Sequence, residues 1–291
     1  MTHVSIAGPA LAAEIASRGA ELQRLRDGRG RDLLWHGDAA WWTGRSPILF
    51  PIVGRLPDDR IAIDGNVYSM PQHGLARVSD FICSASSAAS CTFELASSPA
   101  TKAAYPFDFV LRLHYEIAGN ALQTKATVEN RSRAPMPFSL GFHPALVWPL
   151  PSSAGRGGHT ITFEKAETAP IFRTHDGLTR AASEPSPVQD RTLHLDDRLF
   201  DDGVMIFDRL ASRSLVLAGR GGPSIRVSYD TLPHLGIWSK PGAPFVCIEP
   251  WQGFATPAGY QGELRDKPGV VNLAPGARRE FRMDIELVLE S

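Results

Sequence analysis

The chain has 291 residues, 43% hydrophobic and 21% charged, with a formal net charge of -1. That length and composition suit a folded protein with a substantial core, and the near-zero charge excludes the basic field that nucleic acid or acidic lipid would require. Three cysteines without a CxxC pair exclude a disulfide framework, and no apolar stretch approaches a membrane span. Met1-Thr2-His3 leads straight into Val4-Ser5-Ile6, with no cationic segment and apolar stretch of the secretory kind, so the expected location is cytoplasmic.

Along the chain, residues 10–25 carry Leu11, Ile15, Leu22 and Leu25, which fit a helix or, because Gly19 interrupts them, two strands joined by a turn. A short strand is predicted at Ile61–Ile63. Phe107, Phe109, Leu111, Leu113, Tyr115 and Ile117 then alternate mostly with polar residues. After Gly119-Asn120 the alternation restarts at Leu122, Thr124, Ala126 and Val128, which predicts a long hairpin with one wetted face. Residues 151–158 and 181–190 are Ser/Pro/Gly-rich surface loops. Leu215–Leu217 and Ile225-Val227-Tyr229 read as further strands, as does the terminal series Phe281, Met283, Ile285, Leu287 and Leu289. With 23 prolines and 26 glycines as punctuation, the pattern predicts an all-β protein, a large antiparallel β-sandwich forming one domain over residues 1–291.

Several ionisable groups stand where apolar runs stop. Phe245-Val246-Cys247-Ile248 ends on Glu249, followed by Pro250 and Trp251. Burial at such an edge disfavours the carboxylate form, Pro250 ends strand pairing, and Trp251 supplies a flat apolar wall. The plainer alternative is a capped strand end with Glu249 in water. His143, in Gly141-Phe142-His143-Pro144, has a similar setting and a titration range near neutrality, or is a structural histidine bonded to a carbonyl. Met70-Pro71-Gln72-His73-Gly74-Leu75-Ala76-Arg77 offers the donors His73 and Arg77 on one loop, where Gly74 lets the backbone approach a ligand. Arg55, after Phe50-Pro51-Ile52-Val53-Gly54, either forks onto two hydroxyls or pairs with Asp58 or Asp59.

Nine histidines raise the question of a metal, but His73 and His143 lie far apart and no HxH, HxxxH or HExxH spacing accompanies them, so no metal is assigned. Cys247 reads as core filling. The absence of a GxSxG elbow, a phosphate-cradling GxxxxGK[ST] and a GxGxxG after a strand weighs against serine hydrolase, kinase and dehydrogenase.

Gly54-Arg55-Leu56, Gln72-His73-Gly74-Leu75-Ala76-Arg77, Gly141-Phe142-His143-Pro144 and Cys247-Ile248-Glu249-Pro250-Trp251 occur in a family-specific order. Ser46-Pro47-Ile48-Leu49-Phe50-Pro51 and Gly236-Ile237-Trp238-Ser239-Lys240 connect them. In these segments the chain resembles the aldose 1-epimerase (galactose mutarotase-like) family, in particular a bacterial branch of epimerase-like proteins, over roughly Ile6 to Leu287. The resemblance implies a supersandwich with a sugar cleft on one sheet, His143 as general acid, Glu249 as general base, and Arg55 and His73 as groups that position hydroxyls. It also implies a hydroxyl-binding aspartate, for which Asp197 in Asp197-Arg198-Leu199-Phe200 fits and Asp202 competes, with Trp251 as a stacking face and no cofactor. The partner implied is a monosaccharide, free or phosphorylated, with Arg77 and Lys240 the cations to test for phosphate. A monomer or weak dimer is expected. The function read from the resemblance is anomer interconversion of a hexose, with two alternatives: a hexose-6-phosphate 1-epimerase, or a non-catalytic sugar-binding or sensing protein. A β-sandwich lyase or hydrolase would need a second close carboxylate or tyrosine motif, which is missing.

Overall fold

Alternation of apolar and polar side chains over ten residues is what a strand with one dry face requires, and the longest such runs pair as their pattern dictates. In the computed structural model, which describes residues 2–288, Phe109–Ala118 and Ala121–Asn130 form an antiparallel hairpin, with Leu113 opposite Ala126 and Leu111 opposite Val128. Gly119, at φ +63°, supplies the left-handed backbone of its turn. Arg278–Val288 pairs with the second strand of the hairpin and Ser224–Ser228 pairs in turn with Arg278–Val288. These strands belong to a nine-stranded antiparallel sheet that runs from Thr192–His194 at one edge to Ile82–Ser86 at the other. Leu289, the last residue of the terminal alternating series, lies outside the described residues.

A six-stranded sheet carries the site. Its central strand, Phe245–Gln252, is flanked by His234–Trp238 on one side and by the short strands Leu140–Phe142 and Ala145–Val147 on the other. Phe245–Gln252 does not alternate because both of its faces are covered. Val246 and Ile248 join Leu235, Ile237, Leu140 and Phe142 in the main core shared with the nine-stranded sheet. Phe245, Cys247 and Trp251 face the other way, into two small clusters of their own. Contacts such as Phe50 with Phe109 (5.1 Å) and Phe138 with Phe281 (6.0 Å) tie the layers together. The architecture is a large antiparallel β-sandwich.

Residues 10–25 are two strands, Leu11–Ala16 and Leu22–Asp27, because Gly19 and Ala20 both take positive φ and end the first run. Among the described residues the one α-helix is the turn Pro99–Lys102, and no helix is long and apolar enough to cross a membrane.

Candidate active site

Strand register builds the site. Gly141 lies opposite Trp251 and Ala145 opposite Cys247, so His143, in the break between the two short strands, comes opposite Glu249. Pro144 keeps the pairing loose there, with only its carbonyl accepting from the Ile248 N–H (3.2 Å). The result is a contact between side chains far apart in sequence: His143 Nε2 lies 3.0 Å from Glu249 Oε2. Both groups are buried, with side-chain exposures of 7% and 2%. On the other side Gly236 pairs with Glu249. A Cβ at Gly236 would meet the Trp251 six-membered ring at 2.3 Å, and one at Gly141 would meet the five-membered ring at 2.5 Å. The indole therefore lies flat over two glycines on neighbouring strands and forms a floor beside the carboxylate.

Burial sets the protonation of this centre. It pushes the Glu249 carboxyl well above its usual range. The same cause, with smaller contributions from His73 and Arg77, holds His143 well below its usual range. A separated ion pair is thus disfavoured, although the 3.0 Å contact has ion-pair geometry. Of the two descriptions we favour the neutral one, with the carboxyl O–H donating to the imidazole, because a dry site penalises two charges more than one shared proton. The pair holds a single transferable proton, and moving it across the hydrogen bond produces a carboxylate and an imidazolium together.

Several other segments complete the walls of a cleft of about 350 Å³, at the small end for small-molecule sites. Trp42, from an irregular loop, stacks on the His143 ring (centroids 5.0 Å apart, 29° between planes), and Trp238 meets the same ring edge-on at 6.2 Å. His73 adopts φ +68° and packs edge-on to His143 at 5.6 Å. Its Nδ1 accepts from the Gly54 N–H (3.1 Å), which leaves Nε2 to carry the hydrogen and to donate to the Gln72 amide, 3.3 Å away, once that amide turns its oxygen towards the ring. Burial, with Arg77 adding to it, lowers His73 to about 3, so it stands in the cleft as a neutral donor. Thr174, Gly177, Gly203, Val204 and Ala255 close the remaining side.

Of the residues singled out in the sequence, His73, Arg77, His143, Glu249 and Trp251 line this one cleft. Arg55 and Asp197 do not. The Arg55 guanidinium forks onto Asp59 at 3.0 and 3.3 Å, the surface pairing weighed as its alternative, and only its stem approaches the cleft by packing behind Gly177. Asp197 is held by Arg156 at 2.6 and 3.3 Å and accepts from the Gly242 N–H at 3.0 Å, which ties two loops together away from the cleft. Asp202 adjoins the lining residue Gly203, with its carboxylate on Arg180 at 3.1 Å. Lys240 extends over Trp41, 5.7 Å from the ring centroid, and is not part of the lining. The sequence reading missed Trp42, whose only signal was the doublet Trp41-Trp42. It also missed the proximity of Cys247, which faces the same way as Glu249 because the two are separated by one residue on a strand.

A cleft on one sheet of a large antiparallel sandwich, floored by an indole and holding one buried acid–base pair, defines a class. The sequence model of the aldose 1-epimerase family matches residues 2–285, and the chain belongs to that family. It is 30% identical to the chromosomal protein LacX of Lactococcus lactis, covering 96% of this chain and 97% of that protein. Among solved structures, a galactose mutarotase-like protein from Lactobacillus casei is 31% identical with a TM-score of 0.91, covering 98% of this chain and 100% of the other. A galactose mutarotase related enzyme from Lactobacillus acidophilus is 27% identical with a TM-score of 0.92, covering the whole of both chains. Membership in this family implies a sugar-binding site.

Proposed function

We propose that the protein is an aldose 1-epimerase that interconverts the α and β anomers of a hexose. The observation that carries this reading is the buried His143–Glu249 contact at the bottom of this cleft. In the charge-separated tautomer, Glu249 takes the proton of the C1 hydroxyl while His143 Nε2 gives its proton to the ring oxygen. The C1–O5 bond breaks, its electron pair goes to O5, and C1 becomes the free aldehyde. This leaves Glu249 protonated and His143 neutral, the tautomer that burial favours. Rotation about C1–C2 presents the other face, and closure reverses both transfers. Acid and base on opposite sides of the C1–O5 unit are the simplest expectation for this chemistry, yet here they share one wall. That arrangement works because both reacting oxygens are bonded to C1 and lie side by side at one edge of the sugar.

His73 and Arg77 then serve as donors to hydroxyls, and Trp251 as the apolar floor against a sugar face. Arg55 and Asp197 hold the surrounding loops. Following anomer exchange by NMR or polarimetry from a single anomer tests the assignment. Glu249→Gln should lower the rate by about a hundredfold or more with the fold intact, and near wild-type exchange would overturn it. A second reading, an epimerase for a hexose 6-phosphate, is favoured by one feature: Arg77 lines the cleft with no carboxylate within ion-pair distance among the described residues. Running the same assay on glucose, galactose and glucose 6-phosphate, with wild type and Arg77→Ala, separates the two substrates. Thermal stabilisation by a sugar without faster exchange would instead favour a binding protein.

A further inference from the structure

We propose that His143, Cys247 and Glu249 form a binding site for a borderline-soft divalent cation of the Zn²⁺ type, and that occupation of this site switches the acid–base pair off. The inhibitory half of the proposal rests on the epimerase reading; the binding half does not. Cys247 and Glu249 project from one face of the Phe245–Gln252 strand, and pairing across the sheet brings His143 to the same face. One ligand atom from each of the three residues lies within 4.8 Å of the others, and all three residues are buried. Around a single zinc ion, with bonds of about 2.0–2.3 Å, such atoms sit roughly 3.5 Å apart, so rotations closing about an ångström complete the set.

Charge favours the site. A thiolate and a carboxylate cancel a dication, so the filled site is neutral in surroundings where a lone charge is costly. Those surroundings are apolar and aromatic: Trp35, Trp42, Trp238 and Phe245 pack around Cys247. The donor set of sulfur, imidazole nitrogen and carboxylate oxygen selects Zn²⁺, Co²⁺ or Cu²⁺ over Mg²⁺ or Ca²⁺. Three protein ligands leave a fourth position, and His143 and Glu249 open it towards the cleft. His143 Nδ1 has no side-chain partner, so the one side-chain bond that binding must displace is the proton shared between Nε2 and Glu249 Oε2 at 3.0 Å. A cation held there occupies both groups that a sugar needs, and metal and sugar exclude one another.

The test uses the full chain with exposed Cys83 replaced (Cys83→Ser), so that a surface thiol does not contribute. Co²⁺ should give a near-ultraviolet thiolate-to-metal charge-transfer band, absent in the additional variants Cys247→Ser and Cys247→Ala. Zn²⁺ should lower anomer exchange at least tenfold. A chelator should restore it, excess sugar should protect, and Mg²⁺ at the same concentration should do nothing. In each Cys247 variant, measured against its own metal-free rate, the Zn²⁺ midpoint should rise at least tenfold. A normal exchange rate with no cobalt band overturns the site. Zn²⁺ inhibition unaltered in both Cys247 variants overturns it as well. A cobalt band in a protein without epimerase activity upholds the site and removes the epimerase reading instead.

Discussion

His143 and Glu249 differ from Arg55 and Asp197 in a way that the sequence does not display. All four are ionisable, and all four belong to segments that resemble the same family. The first two are buried and share one hydrogen-bonded proton with each other. The other two have dedicated counter-ions, Asp59 and Arg156, in settings where 27–44% of each side chain is exposed. A pair at the rim has its charge answered by protein and water, and contributes little beyond local order. A pair in the dry centre has protonation that depends on what enters the cleft. The difference teaches that a group whose charge burial disfavours, rather than one matched by a counter-ion at the rim, is the candidate for chemistry.

The sharpest way to break this contrast is to remove the central pair one member at a time. Glu249→Gln and His143→Asn should each lower kcat/KM by about a hundredfold or more. The double variant should be little worse than either, because the two act as one proton-sharing unit. Additive losses, measured by anomer exchange with stability checked by thermal melting, would mean that each group works separately with water.

Lys267 tests whether an unanswered buried charge is enough to make a site. Its ammonium is buried, donates to the Phe254 carbonyl, and has no carboxylate partner among the described residues. Burial lowers it from the usual 10.5 to about 7. Because the folded value is depressed, the unfolded chain binds more protons between pH 7 and 10.5, so this group destabilises the fold at neutral pH and its penalty fades as pH rises. Lys267→Met should therefore stabilise the protein by about 2–4 kcal/mol at pH 7, with the advantage over wild type shrinking towards pH 10.5. Activity should be unchanged. A constant difference across that pH range would show that packing, not charge, explains the gain.

The floor of the cleft gives a smaller effect. Gly236→Ala places a methyl group 2.3 Å from the Trp251 ring, against a side chain that is itself buried. Overpacking of this kind costs about 1–3 kcal/mol. Because the indole borders Glu249, KM should rise along with the loss of stability. Loss of stability with KM unchanged would remove Trp251 as a sugar-facing surface.

Much of this molecule was legible in its sequence, for identifiable reasons. Glu249 stood out because an apolar run ended on it, and the hairpin from Phe109 to Asn130 because ten-residue alternation has one structural solution. Contact between His143 and Glu249 was not legible, since it depends on register between strands a hundred residues apart rather than on local spacing. The Trp41-Trp42 doublet lies in an irregular loop where no periodicity says which ring reaches the cleft, and it is Trp42 that stacks on His143 while Trp41 lies under Lys240. Nor did the motif around Asp197 reveal Arg156, which arrives from a Gly/Ser-rich loop 41 positions earlier. Local patterns report burial; they do not report which partner has already claimed a charge.

Arg55 provides the finest test, and the smallest expected effect. If its fork onto Asp59 is its working state, Arg55→Ala should change KM less than about threefold and stability by about 0–1 kcal/mol, as for exposed ion pairs. The slight loss would come from the stem that packs behind Gly177. Asp197→Asn should likewise leave KM unchanged and act on stability alone, since its carboxylate bridges Arg156 and the Gly242 N–H. A tenfold rise in KM for Arg55→Ala, with kcat unchanged, would place its guanidinium on a sugar hydroxyl in the bound state. Asp59 would then be a resting partner that the substrate displaces, and the boundary between centre and rim would shift outward by one residue.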